Sequence, residues 1–196
     1  MLRIDQLRLL PDEPETVLLH KCARLLRVEP SALTGLTVLR RAIDARESLT
    51  FVYTVIVSAP QETALLRRCR DKRVTAYAPE QYALPASVDA PAVRPIVVGA
   101  GPAGLFAALV LAKCGARPIL LERGQCVEQR QRDVQRFWAT GELDTESNVQ
   151  FGEGGAGAFS DGKLNTGTRD VRHRFIMEQL VSCGAPADIL TDALPH

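Results

Sequence analysis

The sequence predicts an α/β protein in two parts. The first is a small α+β domain with the element order of a ferredoxin-like sandwich, and the second is a strand–turn–helix–strand unit of the doubly wound kind. Three observations point there. Apolar periodicity over residues 2–79 runs strand, helix, strand, strand, helix, strand. The stretch "YAPEQYALPASVDAPAVRP" (77–95) then interrupts with four prolines. Beyond it, Gly99, Gly101 and Gly104 lie between a short apolar run and a helical one.

Each element has its own signal. "LRIDQLRL" alternates apolar and polar residues, as a half-buried strand does. In "PETVLLHKCARLLRV" (14–28), Val17, Leu18, Cys22, Leu25 and Leu26 share one helical face, and Pro14 stands near the start, where proline is tolerated. "LTVLRRAIDAR" and "LTFVYTVIVSA" are rich in β-branched and aromatic residues and read as strands. "QETALLRRCRDK" (61–72) reads as a helix and "RVTAYAP" as a short strand. The resulting division is an α+β domain over 1–80, a proline-rich linker over 81–94 and a second domain over 95–196.

Composition narrows the function. Lys and Arg number 24 and Asp and Glu 23, so no broad field favours nucleic acid or an anionic membrane. The basic run "RRCRDKR" (67–73) reads as a solvated face. Cys22, Cys69, Cys114, Cys126 and Cys183 form no C-x-x-C pair and are odd in number, which fits neither a disulfide framework nor a zinc site and suits a reducing cytoplasm. The N-terminus lacks the long apolar core of a signal peptide. His20 has no second ligand at metal spacing, and His173 reads as exposed. No catalytic acid or base is identifiable.

The second half is more informative. "RPIVV" (94–98) is a continuous apolar run, expected of a strand buried on both faces. A glycine turn follows, then the helical "LFAALVLAKCG" (105–115), stopped by Gly115, then the apolar "RPILLE" (117–122). This context turns G-x-G-x-x-G from a weak motif into a strong one for a Rossmann-like nucleotide-binding βαβ unit. Gly99 permits the tight turn, Gly101 lets the backbone approach a pyrophosphate, and Gly104 lets the helix pack close to the sheet. The helix start offers about half a positive charge and free N–H groups, each hydrogen bond to a phosphate being worth roughly 1.5–3 kcal/mol. Glu122, 23 positions after Gly99, is placed to accept hydrogen bonds from ribose hydroxyls. A 2′-phosphate would meet its like charge, so FAD or NAD is preferred over NADP.

The quoted residues resemble a known group. "IVVGAGPAGLFAALVLAKCGARPILLERG" is similar to the FAD fingerprint of flavoprotein oxidoreductases of the glutathione-reductase or hydroxylase type. "VEQRQRDVQRFWATGELDTESNVQFGEGGAGAFSDGKLNT" (127–166) resembles uncharacterised bacterial FAD-dependent dehydrogenases, which also carry a small N-terminal α+β domain. The resemblance implies FAD, a two-electron redox reaction and NAD(P)H as reductant. It implies cofactor contacts from the turn Gly99, Ala100, Gly101, Pro102, Ala103 and Gly104, from Glu122 and Arg123, and from Arg130 reaching the pyrophosphate. It implies further contacts from Gly154, Gly155, Ser160, Asp161 and Lys163 in "EGGAGAFSDGKL" (153–164), where Gly157 would also help the loop pass close. Phe137 and Trp138 are expected to pack. The disulfide reductases of this cofactor fold carry C-x-x-x-x-C shortly after the ribose acid; here Cys126 stands alone, so a dithiol relay is not expected.

The resembled proteins are far longer than 196 residues and return to the flavin near their C-terminus. The chain therefore reads as the N-terminal part of a larger flavoenzyme, inactive by itself, binding FAD weakly and exposing apolar surface. Two other readings stay open at this stage: a non-enzymatic nucleotide-binding or interaction module, and an NAD-binding dehydrogenase. The substrate and the oligomeric state have no signal in the residues.

Overall fold

The computed structural model describes residues 1–159 and 170–193. They form two compact units. One comprises Met1–Tyr82 with the described residues of Thr168–His196, and the other is Ala83–Gly167.

In the first unit, β1 (Leu2–Leu9), α1 (Val17–Leu26), β2 (Thr34–Asp44), β3 (Thr50–Ser58), α2 (Glu62–Arg68) and β4 (Val74–Ala76) follow the expected order. The strands lie as β4-β1-β3-β2, with every adjacent pair antiparallel. The alternation in β1 holds a detail. Its buried residues are Leu2 and Ile4, then Leu7 and Leu9, so the parity flips at the polar pair Asp5-Gln6. An extra residue restores the apolar side chains to one face, and the register with β3 shifts between Ile4 and Leu7, where Gln6 takes a φ of 59°. Beneath this face α1 buries Leu18, Cys22, Ala23 and Leu26, and Val17 and Leu25 flank them. Burial pushes the Cys22 thiol up to about 11.

The chain leaves this unit and returns to it. After α5 (Arg172–Ser182), β7 (Asp192–Ala193) pairs parallel to the outer edge of β2, through Arg41 and Ala42. Arg41 grips Asp192 with two hydrogen bonds, one of 2.9 Å from Nε and a shorter one from Nη2. Tyr53 Oη donates to Glu15 at 3.1 Å, and Arg41 stands 3.7 Å from the same carboxylate. Tyr82 and Phe175, at exit and return, stack with ring centroids 5.1 Å apart. The expectation of one domain over 95–196 is therefore corrected: the described residues of Thr168–His196 group with the first unit, and Asp192 and Ala193 pair with Arg41 and Ala42 on the open edge of β2. A two-residue strand carries no periodicity that a sequence could show. His173, expected exposed, is half-buried.

The second unit contains β5 (Ile96–Val98), α3 (Pro102–Lys113), β6 (Ile119–Leu121) and α4 (Val127–Thr140). β5 and β6 pair in parallel, Ile96 with Ile119 through Val98 with Leu121. Part of the expected linker packs here: Val88 N–H donates to Cys114 O at 2.9 Å. The expectation that β5 is buried on both faces is not met, since Ile96 is 61% and Val98 83% exposed. Two strands with one helix cover a single face, and only Val97 points beneath α3, near Gly104. Trp138, expected to pack, is 66% exposed on α4. Among the described residues no helix is long and apolar enough to cross a membrane.

Candidate functional site

The glycine turn joins β5 to α3, and each glycine has a separate reason to be there. Gly99 has a φ of 98°, a region that costs any residue with a Cβ. A Cβ on Gly104 would overlap the carbonyl oxygen of Gly99. A Cβ on Gly101, the N-cap of α3, would meet nothing within 4 Å. The first two glycines thus serve the fold, while the third opens a space in front of the helix start. Pro102 begins α3, where its missing N–H costs nothing and its fixed φ suits the helix. The first turn leaves the amides of Ala103 and Gly104 without helical acceptors, the helical ladder starting with Leu105 N–H to Gly101 O, and the helix dipole adds partial positive charge there.

Glu122, one residue past β6, braces this turn. Its Oε2 accepts from Ala100 N–H at 2.6 Å and its Oε1 from Gly124 N–H at 2.8 Å. The Gly124 and Ala100 amides, with a smaller contribution from the positive charge of Arg130, hold the carboxyl below the usual glutamate range. Each oxygen keeps a second lone pair, so the brace leaves acceptor capacity for a ligand hydroxyl. Sequence reasoning gave Glu122 the ribose and missed this second role; the signal was a glycine two residues later. The brace is ionised only. Its stabilising effect is intact above the ordinary glutamate value of about 4.3 and is lost as pH falls through the depressed folded value. Glu122→Gln puts an amide donor against one of the two N–H groups. The variant is expected to be less stable than the wild type at pH 7, with the gap closing as pH drops below about 4. Urea unfolding at stepped pH measures it, and a gap that stays constant down to the acid transition would remove the brace.

A second glycine segment lies against the first. Gly154 N–H donates to Ala100 O at 2.9 Å. A Cβ on Gly155 would press on Pro102 Cδ at 3.1 Å and Gly101 Cα at 3.3 Å, and one on Gly124 would strike Gly152 Cα at 2.5 Å. Gly152, Gly154 and Gly155 all have positive φ. Sequence reasoning named Gly154 and Gly155 and missed Gly124 and Gly152, whose necessity is a close backbone approach that no spacing reveals. Arg123 is exposed, with its guanidinium 4.5 Å from the Phe151 ring centroid and 3.5 Å from Glu146. Ser160, Asp161 and Lys163 lie outside the described residues.

Arg130 differs from expectation. It was expected to reach a pyrophosphate, and it is wholly buried, donating to the carbonyls of Asn148, Val149, Glu153 and Gly155. One turn on, buried Asp133 accepts from Ser147 Oγ at 2.5 Å and from Gln129 at 3.0 Å, which ties the same segment to α4 a second time.

Residues 94–170 match the family described as FAD binding domain. That match supports an FAD-binding protein of oxidoreductase type. Residues 1–58 match a domain of unknown function, DUF8436. An uncharacterized protein of Clostridium beijerinckii (strain ATCC 51743 / NCIMB 8052) is 41% identical over 198 residues. The alignment covers 100% of this chain and 37% of the relative, so the chain spans well under half of that protein's length.

Proposed function

We propose that this chain supplies the adenosine-diphosphate half of the FAD site of a Rossmann-like flavin-dependent oxidoreductase. The observation that carries the reading is the contrast between Gly104, which has no room for a Cβ, and Gly101, which has open room at a helix start. A turn needed only for folding has no use for that opening; a diphosphate does. The amides of Gly101, Ala103 and Gly104 would hold the diphosphate. Glu122, through its unused lone pairs, would hold the ribose hydroxyls, with Arg123 near the adenosine. Gly154 and Gly155 bring the second segment close, and Ser160, Asp161 and Lys163 are the proposed polar contacts to the flavin. When bound, the flavin supplies two-electron redox chemistry; the protein supplies binding and orientation. NAD(P)H is the proposed reductant and a small molecule the proposed substrate. The absence of C-x-x-C spacing supports a reducing, cytoplasmic setting.

The test is Gly101→Val in the full chain. Its thermal stability is expected to match the wild type, because a Cβ at 101 meets nothing within 4 Å and the φ there is one that any residue adopts. FAD affinity, read by quenching of flavin fluorescence, is expected to fall at least about tenfold, or about 1.4 kcal/mol. Retention of wild-type FAD affinity would overturn the reading. NAD alone, and not FAD, raising the melting temperature would point to the simple dehydrogenase instead.

A further inference from the structure

Arg130 is a charged side chain with no exposed surface, and burying a charge is costly unless its hydrogen bonds are replaced. Here they are replaced by main chain alone. Nε donates to Asn148 O at 3.2 Å. Nη2 donates to Asn148 O at 3.1 Å, Val149 O at 3.0 Å and Gly155 O at 3.1 Å, and Nη1 donates to Glu153 O. The Phe159 ring covers the guanidinium, with its centroid 4.9 Å away. A Cβ on Gly152 would overlap Arg130 Cδ, so the segment passes directly over the side chain. The same segment presses Gly155 on Gly101 and Pro102 and hydrogen-bonds Ala100 through Gly154. A chain of contacts therefore runs from Arg130 through 148–155 to the turn.

We propose that Arg130 is a positioning residue: its planar fork fixes the 148–155 segment against the glycine turn and so sets the width of the diphosphate cradle, without touching the ligand. The inference rests on the FAD reading above. A fork with five donors can bridge four carbonyls on one curved segment; an ammonium of the same charge cannot.

The experiment compares Arg130→Met, Arg130→Lys and, as a control, the exposed Arg132→Ala in the full chain. ADP is the probe, with its dissociation constant read by calorimetry and amide hydrogen exchange followed along the chain. Arg130→Met is expected to weaken ADP binding about tenfold or more, the lower range for losing a group that orients a site's direct contacts. Exchange at 149–155 should quicken, while β1 and β3 stay protected. Arg130→Lys should resemble the methionine variant, and Arg132→Ala the wild type. Wild-type affinity in Arg130→Lys would overturn the proposal, since charge alone would then suffice. Weakened binding with unchanged exchange at 149–155 would also overturn it, since that pattern marks a direct ligand contact. Should Arg130→Met fail to fold, Arg130→Lys decides by the same readouts. If the wild type binds neither ADP nor FAD, the FAD reading fails by itself, and the exchange of the two Arg130 variants still judges the clamp.

Discussion

Gly104→Ala is expected to destabilise the second unit by about 1–3 kcal/mol or more, the cost of inserting a methyl where no space exists, and to abolish FAD uptake. The obstruction is backbone. The new Cβ would overlap Gly99 O and lie 3.5 Å from Val97 Cγ1, so no side-chain rotation relieves it. Either α3 lifts from β5 or the turn opens. Lifting strains the Leu105 N–H to Gly101 O bond of 2.9 Å, and opening strains the Ala100 N–H to Glu122 bond of 2.6 Å. Both movements disturb the turn that would cradle the diphosphate. Urea unfolding with hydrogen exchange along α3 measures the effect, and wild-type stability would show that the helix is not seated on the turn. Gly101→Val, three positions earlier, should lose only the ligand; the pair separates the structural glycine from the binding one.

Leu18→Ala is expected to cost the first unit about 2–5 kcal/mol, the range for a buried leucine truncated to alanine. Leu18 is fully buried on α1, in one cluster with Leu2, Ile4, Leu7, Val55 and Val57. Those partners belong to hydrogen-bonded strands that cannot close on the cavity without breaking their ladders. Since whole domains are stable by only about 5–15 kcal/mol, this one change removes a large share. Leu10→Ala, at a half-exposed site beside β1, should fall within about 0.5 kcal/mol of wild type by the same urea assay. Equal losses at the two positions would mean that the cluster around α1 is loosely packed.

What the residues revealed in advance follows from how local each signal is. α1 declared itself through period-3.6 spacing over ten residues, and β1 through alternation. The glycine turn was legible because the positive φ at Gly99 and the close helix–strand contact at Gly104 each disfavour a Cβ, with the open helix start at Gly101 between them, all within six positions. The rest depends on contacts between distant residues. Arg130 reads as one of several arginines on a solvated helix until the segment 18–25 residues later folds over it. Glu122 bracing Ala100 is a contact across 22 positions that its ribose reading conceals. The exposure of Ile96 and Val98 follows from how many strands flank β5, which no property of "IVV" encodes.

The return of the chain to β2 has a consequence during synthesis. On the ribosome, β1–β4 are complete once residue 76 has emerged, yet the strand that covers the outer edge of β2 is not made until residue 192. At about 5–20 residues per second, translating the intervening second unit alone takes roughly 4–17 s. Throughout that interval the nascent polypeptide carries a finished four-stranded sheet whose longer edge strand, β2, is bare, the kind of surface that recruits foreign strands. Expression at low temperature, which lengthens the interval, should therefore favour aggregates nucleated at β2, and the Arg41–Asp192 clasp covers that edge at Arg41 and Ala42 once it forms.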